Sequence, residues 1–536
     1  MAGPLRRAGA DAAWAARRAA AYFALARRAP FWLRLRLAPP LEETRGGARL
    51  VARARTPSLL DALRALDAAA RDVRVAGVFV RLAGAPAGLS AAASLRRALD
   101  AVRAAGKPVA AYGERLQQAE YVIASGASRF WLPEAGSLGL VGLRSEGLYL
   151  SRLLARIEVR ADVVRIGTHK TAGETLTRDS MSPESREQIE GYLDDAFGEL
   201  VAAIAAGRGL EPDTVRARID AGPYGAAAAV EAGLADGCLF PDEIDGELAA
   251  LAPDTKDTSP RPGAPRVRLV DAAAYAALHA ADPGWRPLHR DLPHVAYVVA
   301  GGAIQLRAAL GGISVDSLAA RLRRLAFAPS VRAIVLRITS PGGDALASDL
   351  LWRALAIARG EKPVVASMGE VAASGGYLAA VAADHVVAEA SALTGSIGVI
   401  GGKLDLGGLY DRLGIGRDAV ERGRRAGLLT GSRGFTPDER AAVRREMEAM
   451  YDVFLRRVEE GRKLSREEVE RVAQGRVFSG RRAVALGLID ALGGPLEAIR
   501  EARSRAGLAE GERAVLDVLP RARPLDRLRG LLVGRG

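Results

Sequence analysis

The sequence predicts an α/β fold made twice, a tandem duplication of one domain with repeated βαβ units. Three observations predict it: two halves that match in the same order, an alternation of β-branched runs with helical patterns, and a Pro/Gly-rich linker between the halves. The match begins with VAGVFVRLAG (75–84) against VRAIVLRITS (331–340), which sets Arg81 on Arg337 at an offset of 256. KPVAAYGE from Lys107 follows against KPVVASMGE from Lys362 at 255, then Tyr121 against Tyr377 at 256. GSLGLVG and GSIGVIG pair Gly139 with Gly398 at 259, Gly147 pairs with Gly408 at 261, Gly167 with Gly423 at 256, and Asp236 with Asp490 at 254. Chance similarity does not hold order and near-register over roughly 160 residues; short loop insertions in a duplicated domain do.

Taken in order, residues 1–48 form a basic N-terminal extension, 49–250 the first domain, 251–293 a linker, 294–505 the second domain and 506–536 a basic tail. Within the extension, 8–26 is a basic amphipathic helix carrying Trp14, Tyr22, Phe23 and Leu25. It either lies on an anionic bilayer or packs on its own protein. FWLRLRL (31–37) alternates apolar and basic residues like a half-buried strand. The linker core, APDTKDTSPRPGAPR (252–266), has the composition of a solvated connector. In the second domain, 333–338 reads as a strand and 346–359 as a helix with Leu346, Leu350, Leu351, Ala354 and Leu355 along one stripe. A strand at 362–367 and a helix from Tyr377 to Ala383 follow. Strand, helix and strand repeated this way give a largely parallel sheet.

Composition closes off several functions. With 49% apolar and 26% charged residues over 536 positions, the chain is a folded protein of two or three domains. One cysteine, Cys238, excludes an intrachain disulfide framework, and it reads as a small buried apolar residue. The histidines His169, His279, His289, His294 and His385 show no zinc spacing, so no metal and no cofactor is expected. The net charge is +13, but the arginines are spread along the chain without a nucleic-acid signature. That leaves an anionic membrane surface or no electrostatic partner at all. No run of 18 uncharged apolar residues is present to form a transmembrane helix. Only six of the 76 basic residues are lysine: Lys107, Lys170, Lys256, Lys362, Lys403 and Lys463. A lysine retained in so arginine-rich a chain points to a task that arginine cannot perform.

The chemistry sits where the halves differ. In the second half one strand runs into Ser340-Pro341-Gly342-Gly343 and the next into Ala373-Ser374-Gly375-Gly376-Tyr377. Glycines at these junctions let backbone N–H groups approach a ligand, and a serine there stands beside free helix N-terminal N–H groups. That suits a nucleophile and an oxyanion hole. The first half has Gly84-Ala85-Pro86-Ala87 and, opposite Ser374, Gln118. Conversely, Lys170 in the first half lies opposite Ala426. One half holds a lysine without the serine, the other the serine without the lysine. A buried neutral lysine can act as general base if its pKa falls toward ~7–8, whereas arginine cannot. GxSxG is absent around Ser374 and no SxxK occurs, which removes the α/β-hydrolase and β-lactamase patterns. His169, next to Lys170, reads as exposed polar filler rather than a group that tunes the site, and Glu370 and Asp384 as helix or turn groups rather than triad members. Alternatives on the same fold are an acyl-CoA enzyme, which would need a carboxylate acid/base, and a non-catalytic membrane scaffold.

SPGG (340–343), GEVAASGGYLAA (369–380), LTGSIGV (393–399), VVRIGTHKTAGE (163–174) and RDSMSP (178–183) together resemble the long form of the signal peptide peptidase A family, the protease IV group of Ser/Lys peptidases. The resemblance implies duplicated ClpP/crotonase-type domains in a ring- or dome-shaped homo-oligomer, a tetramer. It implies Ser374 as nucleophile, Lys170 as general base, Gly343 and Gly375 with Gly342 at the oxyanion hole, and Ser396 as the hydroxyl that orients the lysine. It further implies peptide substrates, notably signal-peptide remnants cut at apolar or small side chains, at a bacterial inner membrane or its periplasmic face. The family's usual N-terminal membrane anchor is not evident in this sequence.

Overall fold

The computed structural model describes residues 29–39, 41–44, 57–84, 88–256, 267–279, 292–307 and 311–519, with scattered positions between 16 and 27. Most of the predicted 8–26 helix, most of the linker core and residues 520–536 lie outside the described residues.

The α/β duplication is the architecture observed. The first sheet has six parallel strands in the order Leu269–Asp271, Phe31–Leu37, Val75–Leu82, Val109–Gly113, Arg129–Leu132 and Gly237–Cys238. The second repeats that order with Val515–Leu519, His294–Gly301, Val331–Ser340, Val364–Ala373, His385–Ala388 and Ala491–Leu492, again all parallel. Both sheets reach beyond the 49–250 and 294–505 spans. Phe31–Leu37 and Leu269–Asp271 are recruited from the extension and the linker, and Val515–Leu519 from the tail. Helices on both faces explain why these strands are nearly continuous apolar runs. Val331–Ser340 is buried at eight of its ten positions.

Each half also carries a small side sheet beside the main one. In the first it is Arg115–Gln117, Ser137–Gly139 and Tyr224–Gly225. In the second, the long strand Val364–Ala373 itself runs on to pair with Leu393–Gly395, which pairs with Val477–Ser479. Two helices of 26 residues, Pro183–Arg208 and Pro437–Arg462, occupy matching places. Each starts with proline, whose missing N–H costs nothing there, behind a hydroxyl cap. Ser182 Oγ accepts from Ser185 N, and Thr436 Oγ1 from Glu439 N. The helix Ala345–Glu361 is longer than the sequence pattern suggested, and its buried stripe is rotated. Ala347, Leu351, Leu355 and Ala358 face the core, while Leu346 and Leu350 are exposed. Asp344 sets this phase by capping Ala347 N at 2.7 Å.

The halves are stitched together. Arg160–Ile166 pairs antiparallel with Val399–Asp405 over seven residues, from Ile166↔Val399 to Arg160↔Asp405. Glu389, buried in the second half, accepts from Arg97 Nη1 and Nη2 at 2.6 Å each and from Ser94 Oγ. Glu370 caps the first-half helix Leu89–Ala104, accepting from Ala91 N at 2.8 Å and Ser90 N at 3.1 Å.

The duplication predicts matched energetics. Tyr121 and Tyr377 are fully buried, and their hydroxyls donate to Leu234 O at 2.8 Å and Leu488 O at 2.9 Å. Tyr121→Phe and Tyr377→Phe are each expected to lower stability by about 1 kcal/mol, with additive effects because the sites lie in separate cores. Urea midpoints at unchanged slope check this; a loss in only one half would show that the two carbonyls are not held equivalently.

Candidate active site

Ser374 ends the strand Val364–Ala373 and caps the short helix Gly375–Ala380 with φ 53° and ψ −121°. A residue with a side chain adopts positive φ only under constraint. The constraint here is close packing of small residues. A Cβ on Gly342 would lie 2.7 Å from Ser374 Cβ, and one on Gly376 would lie 2.8 Å from Ser340 O. Ser374 N donates to Gly395 O at 2.8 Å, which ties the turn to the side sheet.

Lys170 arrives from the other half, in the loop after Arg160–Ile166. Its Nζ donates at 2.9 Å to each of three oxygens: Ser374 Oγ, Ser396 Oγ and Ser396 O. The side chain's ammonium has three donors, so this cage satisfies it. Lys170 is only 5% exposed, and burial pushes its pKa from 10.5 down to about 8. Desolvation disfavours the charged form, and no carboxylate stands close enough to reverse it.

One segment of the second half places both partners. His169 N donates to Gln474 O at 2.8 Å, Gly475 N to Ile397 O at 2.7 Å and Ser396 N to Arg476 O at 2.6 Å. Residues 474–476 therefore clamp the lysine loop to the Ser396 turn. Sequence reasoning missed this clamp. Its one legible trace was a Gly at 475, which has φ 84° and abuts Lys170 directly.

Of the three expected oxyanion donors, two are open. Among the described residues the N–H groups of Gly343 and Gly375 have no acceptor, and both residues line the same cavity as Ser374 and Lys170. Gly342 N instead donates to Ser340 Oγ at 3.1 Å, so it does not face that cavity free. The cavity measures about 530 Å³ and its walls include Leu346, Val399, Ile400, Met447, Met450 and Phe454. These wall residues were also missed as a site, because they come from the Ala345–Glu361 helix, the inter-half ribbon and the 437–462 helix and meet only in the fold.

Other expectations need correction. His169 is buried rather than exposed, and its ring bonds Thr168 Oγ1 at 2.9 Å and approaches Glu187 at 3.4 Å, not Ser374. Cys238 is half-buried, at the edge of the first sheet. Asp384 accepts from Val364 N at 2.8 Å, a turn role as expected. Opposite Ser374 in the first half, Gln118 donates to Gly142 O at 2.6 Å, and opposite Lys170 in the second half, Ala426 is exposed. Among the described residues, no cluster of metal-ligating side chains and no helix long and apolar enough to cross a membrane is found.

The model of Peptidase family S49 matches the chain twice, at residues 101–253 and 356–509. The chain is 31% identical over 474 residues to "Serine protease SPPA, chloroplastic" of Arabidopsis thaliana, covering 87% of this chain and 68% of the relative. It is 31% identical to "Protease 4" of Salmonella typhi, over 84% of this chain and 73% of the relative. It is 29% identical to "Protease 4" of Haemophilus influenzae, over 83% and 72%.

The clamp yields a prediction. A Cβ at position 475 would lie 2.6 Å from Lys170 Cα at a φ of 84°, so Gly475→Ala must displace the lysine loop. A displacement of about 1 Å at a reacting pair can lower rates by about 10²-fold. The rate of Ser374 acylation by an activated ester is expected to fall at least tenfold with circular dichroism unchanged. An unchanged rate would mean that the clamp does not set the lysine's position.

Proposed function

The chain belongs to peptidase family S49 and is a serine-type protease; on that premise we propose that it is an endopeptidase in which Ser374 is the nucleophile and Lys170 the general base. The observation that carries this reading is the 2.9 Å bond between Lys170 Nζ and Ser374 Oγ, at a lysine that burial has brought to about 8. Above that pH the amine is neutral and can accept the serine proton.

The steps follow from the geometry. Lys170 takes the Oγ proton as Oγ attacks the scissile carbonyl carbon. The resulting oxyanion accepts from the N–H groups of Gly343 and Gly375. Lys170, now an ammonium, gives its proton to the leaving amine, and the C–N bond breaks to leave an acyl-Ser374. A water then attacks the acyl carbon with Lys170 again as base, and the proton returns to Ser374 Oγ as the acid product leaves. Ser396 holds the amine in line throughout through its hydroxyl and carbonyl. An open, unreorganised pair of donors aimed at developing charge is the largest single contribution such sites make.

The substrates are peptides with an apolar side chain for the cavity of about 530 Å³. Cleaved signal peptides and other short or unfolded chains at a membrane supply such side chains, and they are the substrates we propose. A peptidase replaces the acyl-CoA and scaffold alternatives.

The expected pH dependence has a definite sign. Protonated Lys170 cannot act as base, so kcat/KM on an apolar peptide should rise about tenfold per pH unit below about 8 and level off above it. Ser374→Ala should reduce turnover to background. Lys170→Ala and Lys170→Arg should both lose about 10²–10⁴-fold, because arginine stays protonated. A profile that levels off near pH 6.5, or an active Lys170→Arg, would assign the base elsewhere.

A further inference from the structure

The helix Pro183–Arg208 of the first half is bonded to the second half through one row of polar side chains. Gln188, Tyr192, Asp195 and Glu199 stand four, three and four residues apart, the spacing of a single helix face. Each bonds the second half. Gln188 Oε1 accepts from Val477 N at 3.2 Å, and the Tyr192 hydroxyl donates to Ser391 O at 3.0 Å. Asp195 accepts from Ser479 Oγ at 2.6 Å and from Arg482 Nη2 at 2.9 Å, and Glu199 accepts from Arg481 Nε.

Within this row only Gln188 also reaches the lysine loop. Its Nε2 donates to Thr171 Oγ1 at 2.8 Å and to His169 O at 3.3 Å, the residues on either side of Lys170. A carbonyl only accepts and a backbone N–H only donates, so His169 O and Val477 N fix which end of the amide is which. One planar group thus spans the loop and the strand Val477–Ser479, which directly follows the 474–476 clamp. The duplication supplies the contrast. At the offset of 254, Gln188 corresponds to Ala442, so the half with Ala426 in place of Lys170 has no amide at the matching position either.

Resting on the assignment of Lys170 as base, we propose that Gln188 is its positioning residue: the amide holds the 169–171 loop against the second half and so keeps Nζ within reach of Ser374 Oγ. Gln188 bonds neither Ser374 nor Ser396 and is not part of the cavity wall, so it acts through the loop and not on the substrate. The titratable and charged groups packed about the loop are His169, Glu174, Glu187, Arg165 and Arg476. None of them bonds Nζ, whose partners among the described residues are the three oxygens of Ser374 and Ser396. A loop released from the amide admits water to the amine, and a rehydrated lysine returns toward its ordinary protonated state.

The test is kcat and KM on an apolar peptide between pH 6 and 10, for wild type, Gln188→Met, Gln188→Glu, Glu199→Gln and Lys170→Ala, each checked for fold by circular dichroism. Gln188→Met keeps the length and removes every bond; Gln188→Glu keeps the acceptor for Val477 N and loses the donor, so either variant alone carries the test. In both, the pH at which kcat/KM levels off should move up by about one unit, which lowers kcat/KM at pH 7 about tenfold while the gap narrows toward pH 10. The loss should fall on kcat, with KM unchanged. Glu199→Gln loosens the far end of the row without touching the loop and should keep the wild-type profile. A Gln188 variant that levels off where wild type does, with Lys170→Ala inactive, overturns the positioning role alone. The same shift in Glu199→Gln also overturns it, since any loosening of the row would then suffice. A Lys170→Ala as active as wild type overturns the base assignment, and this proposal with it.

Discussion

Everything at the site depends on keeping one lysine amine out of water against a serine 204 positions away in sequence. A lysine ammonium is strongly hydrated, so burying it is unfavourable unless oxygens replace the lost water. Here three oxygens do, at 2.9 Å each, and the remaining penalty appears as a pKa lowered to about 8. The fold must supply that burial from two separate cores. The seven-residue ribbon brings the lysine loop to the second half, the 474–476 clamp fixes its height, and the 437–462 helix closes the apolar cavity beside it. Loosening any of these would rehydrate the amine and return it toward its ordinary, protonated state.

The serine side is organised by backbone rather than by charge. A φ of 53° at Ser374 is held because glycines at 342, 375 and 376 leave no room for another course of the chain. The same strain presents Oγ at the strand end and leaves the N–H groups of Gly343 and Gly375 open toward the cavity. In the first half the corresponding strand breaks into Val109–Gly113 and Arg115–Gln117, and Gln118 donates to a loop carbonyl. Each half thus carries one member of the Lys170–Ser374 pair, and the ribbon brings the two within hydrogen-bond reach.

Much of this was legible in the sequence because duplication turns a single chain into its own comparison. Matched offsets of 254–261 correspond to two sheets with the same strand order, and Ser374 and Lys170, each replaced in the other half, meet at one of the places where the halves pack together. What the sequence did not yield depends on contacts between distant segments. Phe31–Leu37 was readable as a strand, but its place inside the first sheet, between Val75–Leu82 and Leu269–Asp271, was not, because the second of these partners is distant in sequence. The burial of His169 follows from the clamp and from the 183–208 helix, neither of which its neighbours in sequence reveal. The phase of the Ala345–Glu361 helix was misread because Leu346 is apolar for the cavity, not for the core.

The central claim, that Lys170 activates Ser374, is tested most directly by labelling with a fluorophosphonate and mapping the modified peptide, in wild type and in Lys170→Ala. The account predicts a single label on Ser374 in the wild type, forming faster as pH rises through about 8, and no label at that serine at the same pH without the lysine. Label on another residue, or labelling of Ser374 that proceeds undiminished without Lys170, would contradict it.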